Sequence, residues 1–392
     1  MIQYDSRKIK QGDAFLAMGK GASFISPELI KKCKKIIKLT KPEVYDYLIK
    51  LWDIDISKIK IIGITGTNGK TTTTYLLDQI LRKAGHKTKV IGTINSSLTT
   101  PEIFDILLII KKMIYNGDTH LIMEVSSVSI KENRVTGLPF EVKCLTNITQ
   151  DHLDYHGTFK DYVDSKFKFL KLSGITIYPR DYKKITIDFP IKLLGEFNKH
   201  NCQASFSIAL AIGIDKKIIK NTLKKATPPV GRFQMVNIGD PYKVIVDYAH
   251  TPDALENVLR TAKKLTKNKL IALFGAGGDR DHGKRPLMAA TAAKWCDYLI
   301  ISSDNPRNEN PQQIIKDLLS GLPDTIAKKN TTNLYEVIID RESAIKRAIE
   351  IIQPGDVLII AGKGHEKYQI IGTKKIHFDD FEIAKKYLAK KL

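Results

Sequence analysis

The chain has 392 residues, of which 43% are hydrophobic and 27% charged, and a formal net charge of +21. This composition is typical of a soluble globular protein, and the length predicts two or three domains rather than one. The apolar runs are too short to cross a membrane and the N-terminus lacks a signal-peptide pattern, so we expect a cytoplasmic protein.

The positive charge does not by itself indicate a nucleic-acid partner. The lysines are spread along the whole chain without a basic recognition motif, so the excess charge suits a small anionic substrate better. The four cysteines, Cys33, Cys144, Cys202 and Cys296, have neither disulfide nor metal-binding spacing. They are predicted to be buried thiols in a reducing compartment.

A short lysine-rich head, residues 1–58, precedes the most informative segment of the chain. The apolar run 61–64 leads directly into residues 65–74, Thr-Gly-Thr-Asn-Gly-Lys-Thr-Thr-Thr-Thr. A buried strand followed by a glycine-rich turn, a lysine and a threonine predicts a phosphate-binding loop at the start of a helix. Ile64 stands where the general pattern has a glycine, so this is a variant of that loop.

Strands and helices alternate after this loop. A helix is predicted to continue over residues 76–84, and apolar strands are predicted at residues 89–91 and 119–123, the latter ending at Glu124. Such alternation predicts a mostly parallel sheet covered on both faces. Ligands bind at the carboxyl ends of the strands in such sheets, where the loop and Glu124 both lie.

A second alternating unit begins near residue 233, after a proline- and glycine-bearing hinge at residues 227–231. Its strands are predicted at residues 243–246, 270–274, 298–301 and 357–360, and each runs into a polar or glycine-bearing loop. An open α/β unit of this kind gathers a ligand site along one rim of its sheet.

From about residue 60 to the C-terminus, the chain resembles the Mur ligase family. The segments that carry the resemblance are residues 65–71, 124–127, 146–158, 231–233, 247–252, 277–281, 304–307 and 362–366. The head resembles the family more weakly, at residues 5–7 and 12–13, and it is shorter than is usual there, with most of the family's strand content missing.

The resemblance implies an α/β protein with the three-domain Mur ligase architecture. Residues 1–58 would form a shortened UDP-binding domain, residues 59–230 a central P-loop ATPase-like parallel-sheet domain, and residues 231–392 a Rossmann-like domain for the amino acid. The implied reaction is the ATP-dependent addition of meso-2,6-diaminopimelate to UDP-N-acetylmuramoyl-L-alanyl-D-glutamate, in peptidoglycan precursor synthesis. Use of L-lysine or another diamino acid, and a nucleotide-binding homologue without ligase activity, remain alternatives. We expect a monomer whose partners are these small molecules.

The resemblance also assigns residues to ATP, Mg²⁺ and catalysis. The expected ATP-binding residues are Gly66, Thr67, Asn68, Gly69, Lys70, Thr71, Thr72, Asn198, Asn201, Arg232, Asp247 and His250. The expected metal ligands are Thr71, Glu124, His152 and a carbamate on Lys166, and the expected catalytic residues are Lys70, Glu124, His152 and Lys166. A carbamate forms on a neutral amine, so Lys166 is predicted to be desolvated or near other cations.

Two further sets are implied for the other substrates. The expected contacts of the UDP-muramoyl-dipeptide are Ser6, Thr99, Thr100, Ser126, Arg134 and Lys166, and those of diaminopimelate are Arg280, Asp304, Asn305, Arg307, Gly362 and Glu366. Arg307 favours diaminopimelate because a guanidinium pairs with the second carboxylate of that substrate. Two residues depart from the family pattern: Val128 replaces a common histidine, and Glu132 replaces a frequent glutamine. We expect Glu132 to point away from the anionic substrate or to pair with a lysine.

Overall fold

The computed structural model describes residues 2–18, 25–96, 98–236, 241–323 and 334–391. Within these residues the strands form three main sheets, one for each part of the chain, together with one hairpin. The predicted α/β class is therefore confirmed. No helix among the described residues combines the length and apolar character needed to cross a membrane.

The head is a small α/β unit. Its strands β1 (Ile2–Gln3), β2 (Ala14–Met18) and β3 (Lys35–Leu39) form a parallel sheet in the order β1-β2-β3. Its helices are α1 (Pro27–Lys32) and α2 (Lys41–Trp52). A capping box starts α2, because the Glu43 carboxylate accepts from the Thr40 backbone N–H at 2.7 Å. The head thus contains more strand than its sequence indicated.

On the side that faces the central part, the head shares a hydrophobic core with it. Leu16, Val44 and Leu48 belong to the same buried cluster as Phe104 and Leu107, which lie on a helix of the central part. Burial of these side chains joins the head to the central sheet by the hydrophobic effect.

The central part is a five-stranded parallel sheet in the order β5-β6-β4-β7-β8. The strands are β4 (Lys60–Thr65), β5 (Thr88–Ile91), β6 (His120–Glu124), β7 (Phe140–Leu145) and β8 (Ile175–Ile177). The helices are α3 (Lys70–Lys83), α4 (Ile103–Asn116), α5 (Ser127–Lys131), α6 (Leu153–His156), α7 (Phe159–Leu170), α8 (Pro179–Tyr182), α9 (Glu196–Ala211) and α10 (Lys216–Lys225). Alternate residues of β4 enter different cores, since Ile61 packs with the head-side cluster and Ile62 and Ile64 with the opposite one.

The last part has a six-stranded sheet in the order β13-β12-β11-β14-β10-β9, in which β9 alone is antiparallel to its neighbour. The strands are β9 (Gln234–Met235), β10 (Lys243–Asp247), β11 (Leu270–Phe274), β12 (Tyr298–Ile301), β13 (Tyr335–Val337) and β14 (Val357–Ala361), and the hairpin is β15 (Tyr368–Ile371) with β16 (Lys374–His377). The helices are α11 (Pro252–Leu265), α12 (Lys284–Trp295), α13 (Pro311–Leu319), α14 (Arg341–Ile351) and α15 (Asp380–Lys391). All strands predicted from the apolar runs are present.

The cysteine prediction is half right. All four thiols are free, and Cys144 and Cys202 are fully buried. Cys33 and Cys296 are only partly buried, because each lies at the C-terminal end of a helix rather than inside a strand or on a packed helix face. Helix ends lie near the surface, where a small apolar side chain is not covered.

A buried ion pair joins the last two helices. Arg341 on α14 donates to both oxygens of Asp380 on α15 at 2.8 Å, and neither side chain is exposed to solvent. We expect Arg341→Ala to lower the free energy of unfolding by about 3–5 kcal/mol, because Asp380 would be left buried and unpaired. Denaturant unfolding measures this effect.

Arg347→Ala is the matched control for this change. Arg347 is on the same helix and pairs with Glu336 near the surface, with 44% of its side chain exposed, so its loss is expected to cost less than about 1 kcal/mol. Equal losses in the two variants would contradict the prediction.

Candidate functional site

The glycine-rich loop connects β4 to α3 and fits closely against its surroundings. Gly66 and Gly69 have φ of 146° and 85°, and a side chain at either position would overlap Thr146 or Asn201. The Lys70 ammonium folds over the loop and donates to the carbonyls of Gly66 and Thr67, each at 2.9 Å. Burial lowers the pKa of Lys70. The loop therefore presents a cation and a helix N-terminus at the carboxyl edge of the sheet.

Thr71 links the two larger parts of the chain. Its hydroxyl donates to Glu124 at the end of β6 at 3.0 Å, and it accepts from Arg232 at 3.1 Å. Glu124 is 1% exposed and also accepts from the Thr93 backbone N–H at 3.0 Å. Arg232 stacks on the Tyr248 ring, with its guanidinium carbon 4.3 Å from the ring centroid. A carboxylate, a hydroxyl and a guanidinium thus meet beside the loop.

Lys166 is buried behind the loop. Its side chain is on α7, is 1% exposed, and donates to the Gly66 carbonyl at 3.0 Å. The ammonium also lies 4.5 Å from the centroid of the Tyr162 ring. Burial, and after it the charge of Lys70, lowers the pKa of Lys166 well below its ordinary value. The predicted desolvation and the predicted cationic neighbour are therefore both present.

His152 lies on the cavity wall next to a charged contact between the two larger parts. Its Nε2 is 3.4 Å from Asp151, and Lys284 at the start of α12 lies 3.8 Å from the same carboxylate. Burial alone would raise the pKa of Asp151, but the neighbouring His152, Lys284 and His250 lower it to about 2. Asp151 is consequently an anion that lies between His152 of the central part and Lys284 of the last part.

The residues expected near the nucleotide fall into two groups. Asn201, Asp247 and His250 line the cavity, whereas Asn198 lies behind Asn201 and accepts a hydrogen bond from it at 3.1 Å. Asp247 accepts from the backbone N–H groups of Phe233 and Ala249 at 2.6 and 2.7 Å. It therefore fixes the loop that carries His250 as well as facing the cavity.

The residues expected to bind the muramoyl-dipeptide line the same cavity with two exceptions. Thr99, Thr100, Ser126 and Arg134 are on its wall. The Thr100 hydroxyl donates to the Glu124 carbonyl at 2.8 Å and accepts from the Ser126 N–H at 3.1 Å. Ser6 lies in a 3-10 turn of the head and Lys166 behind the loop, and neither is on the wall.

Three of the residues expected to bind the amino acid, Asp304, Asn305 and Glu366, form a compact cluster around Lys363. Lys363 is not exposed and lies 3.6 Å from Asp304 and 3.5 Å from Glu366. The Asn305 amide donates to Glu366 at 2.8 Å, and burial followed by the charge of Asp304 raises the pKa of Glu366. One Asp304 oxygen, Oδ1, has no hydrogen-bond partner within the described residues. That oxygen is buried, and its nearest cationic neighbour is the Lys363 ammonium at 3.6 Å.

Arg307 and Arg280 flank the loop at Gly277. Arg307 Nη1 donates to the Gly278 carbonyl at 2.8 Å, and its backbone pairs with the β15 strand. A side chain on Gly277 would approach both arginines. Gly362 has φ of 116° and lies against Asp304, so a larger residue would be strained there.

Most of the residues expected to bind the nucleotide and the muramoyl-dipeptide, together with Arg280, line one cavity of about 540 Å³ at the facing rims of the central and last sheets. Of the expected residues, Gly66, Asn198, Lys166, Ser6, Asp304, Asn305, Arg307, Gly362 and Glu366 are not on its wall. The amino-acid cluster adjoins the cavity through Tyr248. The Tyr248 side chain lines the cavity, and its ring centroid lies 4.9 Å from that of His365, the residue before Glu366.

Several site residues were not predicted as such. Thr93 follows β5 without any motif, and Lys284 lies outside the recognised segments. Asp151 and Lys363 lie inside segments that were recognised, next to His152 and Gly362. The only sequence feature that pointed to Asp151 and Lys363 was their position beside residues already assigned to the site. Their ion pairs across the fold could not be predicted, because they form between segments that are distant in the chain.

The donor set fits Mg²⁺ better than a protein-enclosed metal. Within the described part of the chain, no three His, Cys, Asp or Glu side chains form a group that could hold a metal ion. The Thr71 hydroxyl and the Glu124 carboxylate, 3.0 Å apart, are the kind of sparse oxygen set that magnesium completes with phosphate and water.

Comparison with known proteins gives a consistent result. The Mur ligase middle domain model matches residues 64–186, and the model of the Mur ligase glutamate ligase domain matches residues 231–364. A Bacillus cereus relative named UDP-N-acetylmuramoyl-L-alanyl-D-glutamate–2,6-diaminopimelate ligase is 36% identical over 471 residues, covering 100% of this chain and 94% of the relative. A Clostridioides difficile relative of the same name is 39% identical over 464 residues, covering 99% and 95%. Both aligned regions are longer than this chain of 392 residues, so parts of the relatives have no counterpart here.

Solved structures agree with these matches. A structure of UDP-N-acetylmuramoyl-L-alanyl-D-glutamate–2,6-diaminopimelate ligase superimposes with a TM-score of 0.61 at 28% identity, covering 100% of this chain and 94% of that one. A MurF ligase from Thermotoga maritima in complex with ADP gives a TM-score of 0.64 at 16% identity, covering 100% and 98%. The second likeness concerns the fold alone.

Proposed function

The chain belongs to the Mur ligase family, and we propose that it joins meso-2,6-diaminopimelate to UDP-N-acetylmuramoyl-L-alanyl-D-glutamate with hydrolysis of ATP. The relatives at 36% and 39% identity are named for this ligase activity. The observation that carries the proposal is the contact of Thr71 with both Glu124 and Arg232. This contact brings the phosphate loop and the Arg232 guanidinium, from the last part of the chain, together in one cavity.

The phosphate loop holds the triphosphate. Lys70 places its ammonium against the terminal phosphates, and the N–H groups at the start of α3 face the phosphate oxygens. Bound Mg²⁺ would neutralise phosphate charge, with Thr71, Glu124 and His152 available as ligands. Arg232 enters from the other rim and adds positive charge where phosphate charge develops.

Amide formation then needs two steps. The acceptor carboxylate attacks the terminal phosphorus of ATP, giving an acyl phosphate and ADP. The amine of the amino acid attacks the acyl carbon, phosphate leaves, and the amine loses a proton. The enzyme contributes mainly by holding ATP, the anionic acceptor and the amino acid in position and by spreading the developing charge.

The amino-acid cluster favours diaminopimelate. Arg307 offers a guanidinium to the distal carboxylate, and Asp304 and Glu366 offer carboxylates to an ammonium. Charge-assisted hydrogen bonds of this kind contribute about 1.5–3 kcal/mol each. L-Lysine lacks the distal carboxylate and would leave Arg307 without that partner.

Further parts of the proposal concern the enzyme as a whole. Residues 1–58, 59–230 and 231–392 serve the uridine diphosphate, ATP and amino acid respectively, and Lys166 carries a carbamate. The enzyme acts as a monomer in the cytoplasm, where peptidoglycan precursors are made. Support for the carbamate comes from the buried amine of Lys166 and its lowered pKa.

A panel of amino acids tests the proposed function. Wild-type protein supplied with ATP, Mg²⁺ and UDP-muramoyl-dipeptide is expected to release ADP with diaminopimelate and far less with L-lysine. Arg307→Ala is expected to lower the diaminopimelate-dependent rate at least about tenfold, the effect of one lost charge-assisted contact. The L-lysine rate should change little, because that substrate does not use the guanidinium.

The exposed Arg347 gives a control, Arg347→Ala, which should keep the wild-type rates. If the wild-type protein preferred L-lysine, then L-lysine would replace diaminopimelate as the proposed substrate. ATP binding without ADP release for any amino acid would instead show a nucleotide-binding homologue without ligase activity.

A further inference from the structure

Four charged side chains from two parts of the molecule meet at the acceptor end of the cavity. Arg134 lies 3.0 Å from Glu102 and 2.6 Å from Glu132. Lys41, the first residue of α2 in the head, lies 2.9 Å from Glu102 and 3.7 Å from Glu132. Two acids and two bases therefore balance each other, and the head supplies one of the bases.

All three nitrogens of the Arg134 side chain donate a hydrogen bond to neighbouring groups, which uses three of its five N–H donors. Its Nε and Nη2 donate to Glu132 at 2.8 and 2.6 Å, and its Nη1 donates to the Thr100 carbonyl at 3.0 Å. A guanidinium that binds a carboxylate in paired geometry needs two adjacent donors. The edge formed by Nε and Nη2 faces Glu132, so an acceptor carboxylate can take that edge only if Glu132 gives it up.

The charge balance leads to the same conclusion. If a substrate carboxylate entered while Glu132 stayed in place, three carboxylates would face Lys41 and Arg134. Such an excess of like charge in a partly desolvated site is unfavourable. One of the acids must therefore move away from Arg134 when the acceptor binds.

Glu132 is the acid best able to move. Its side chain is 31% exposed, compared with 17% for Glu102. Lys41 is already within 3.7 Å of it, and the Tyr155 hydroxyl donates to its other oxygen at 3.1 Å. A small displacement would exchange the Arg134 contact for a closer contact with Lys41.

We propose that Glu132 competes with a carboxylate of the acceptor for Arg134, and that Lys41 of the shortened head receives Glu132 when the acceptor binds. This inference rests on the proposed function, because it takes the UDP-muramoyl-dipeptide as the acceptor. It makes Glu132 and Lys41 positioning residues that set acceptor affinity. It also gives the shortened head a role in the acceptor site.

Titration calorimetry with the UDP-muramoyl-dipeptide, together with KM values from ADP release, tests this competition. E132Q keeps the shape of the side chain but removes its charge. It is expected to tighten acceptor binding and lower the acceptor KM by about threefold to fivefold, the scale of one partly exposed ion pair. KM values for ATP and the amino acid should not change.

K41A is expected to weaken acceptor binding about threefold in the wild-type background, because Glu132 loses its alternative partner. The same change should have a smaller effect in the E132Q background, where no carboxylate needs to be received. Lys50→Ala, at an exposed lysine of the same helix, is the control and should leave binding unchanged.

The sign of the E132Q effect separates this inference from a simpler one. If Glu132 only held Arg134 in place, E132Q would weaken acceptor binding, and weaker or unchanged binding would overturn the competition. If E132Q gave that result while the wild-type protein released ADP, the ligase assignment would stand. A wild-type protein that neither binds the acceptor nor releases ADP would overturn the ligase assignment together with the competition.

Discussion

Lys70→Met is expected to lower the maximal rate of ADP release by a factor on the order of 10²–10³, the range seen when a single preorganised charge is removed from a transition state. Methionine keeps most of the length of the side chain and is also a good helix former, so α3 should form normally. The change removes the ammonium that lies over the carbonyls of Gly66 and Thr67. Steady-state ADP release with saturating substrates measures the effect.

The matched control is Lys83→Met, at the exposed C-terminal end of the same helix. It should leave the rate within about twofold of the wild type, since a surface charge far from the site contributes little. Lys70→Met with a near wild-type rate would show that the loop does not hold the reacting phosphates in the way proposed.

Lys166→Arg should lower the rate about 10-fold to 100-fold, the scale of losses at groups that support a catalytic metal. A guanidinium does not lose its proton in proteins, so it cannot react with CO₂ to form a carbamate. The substitution also places a fixed positive charge where the proposal requires a negative one, beside Lys70. ADP release and the intact mass of the protein are the measurements.

Removal of dissolved CO₂ extends this test. The wild-type protein should lose activity as the carbamate decomposes and regain it with bicarbonate, while the Lys166→Arg protein should not respond. Lys168→Arg is the control, because Lys168 is exposed on the same helix and donates to Asn133 at 3.0 Å. Full activity in the Lys166→Arg protein would exclude a carbamate as part of the mechanism.

The sequence predicted best those features that are local along the chain. The loop of residues 65–74 and the end of β6 at Glu124 depend on apolar runs and glycine positions within a few residues, so their pattern is sufficient. The same holds for the four apolar runs that become β10, β11, β12 and β14. Continuous burial in a parallel sheet leaves little ambiguity in such runs.

Other features depend on contacts between distant segments. Nothing near Thr93 indicates that its backbone would donate to Glu124, and the Asp151–Lys284 pair joins two different sheets. The strand content of the head was also underestimated, since β3 reads Lys-Ile-Ile-Lys-Leu and so lacks a strict alternation of apolar and polar residues. Glu132 has the expected lysine nearby in Lys41, but its hydrogen bonds go to Arg134, two residues further along the chain.

The packing of α2 against α4 has a consequence for how the protein folds and for which parts of it can be removed. Leu16, Val44 and Leu48 complete a core that also contains Phe104 and Leu107. Detaching the first 58 residues would uncover an apolar flank of the central sheet, so these two regions are expected to melt together as one cooperative unit. The stability of the central part therefore depends on the apolar contact that the head provides.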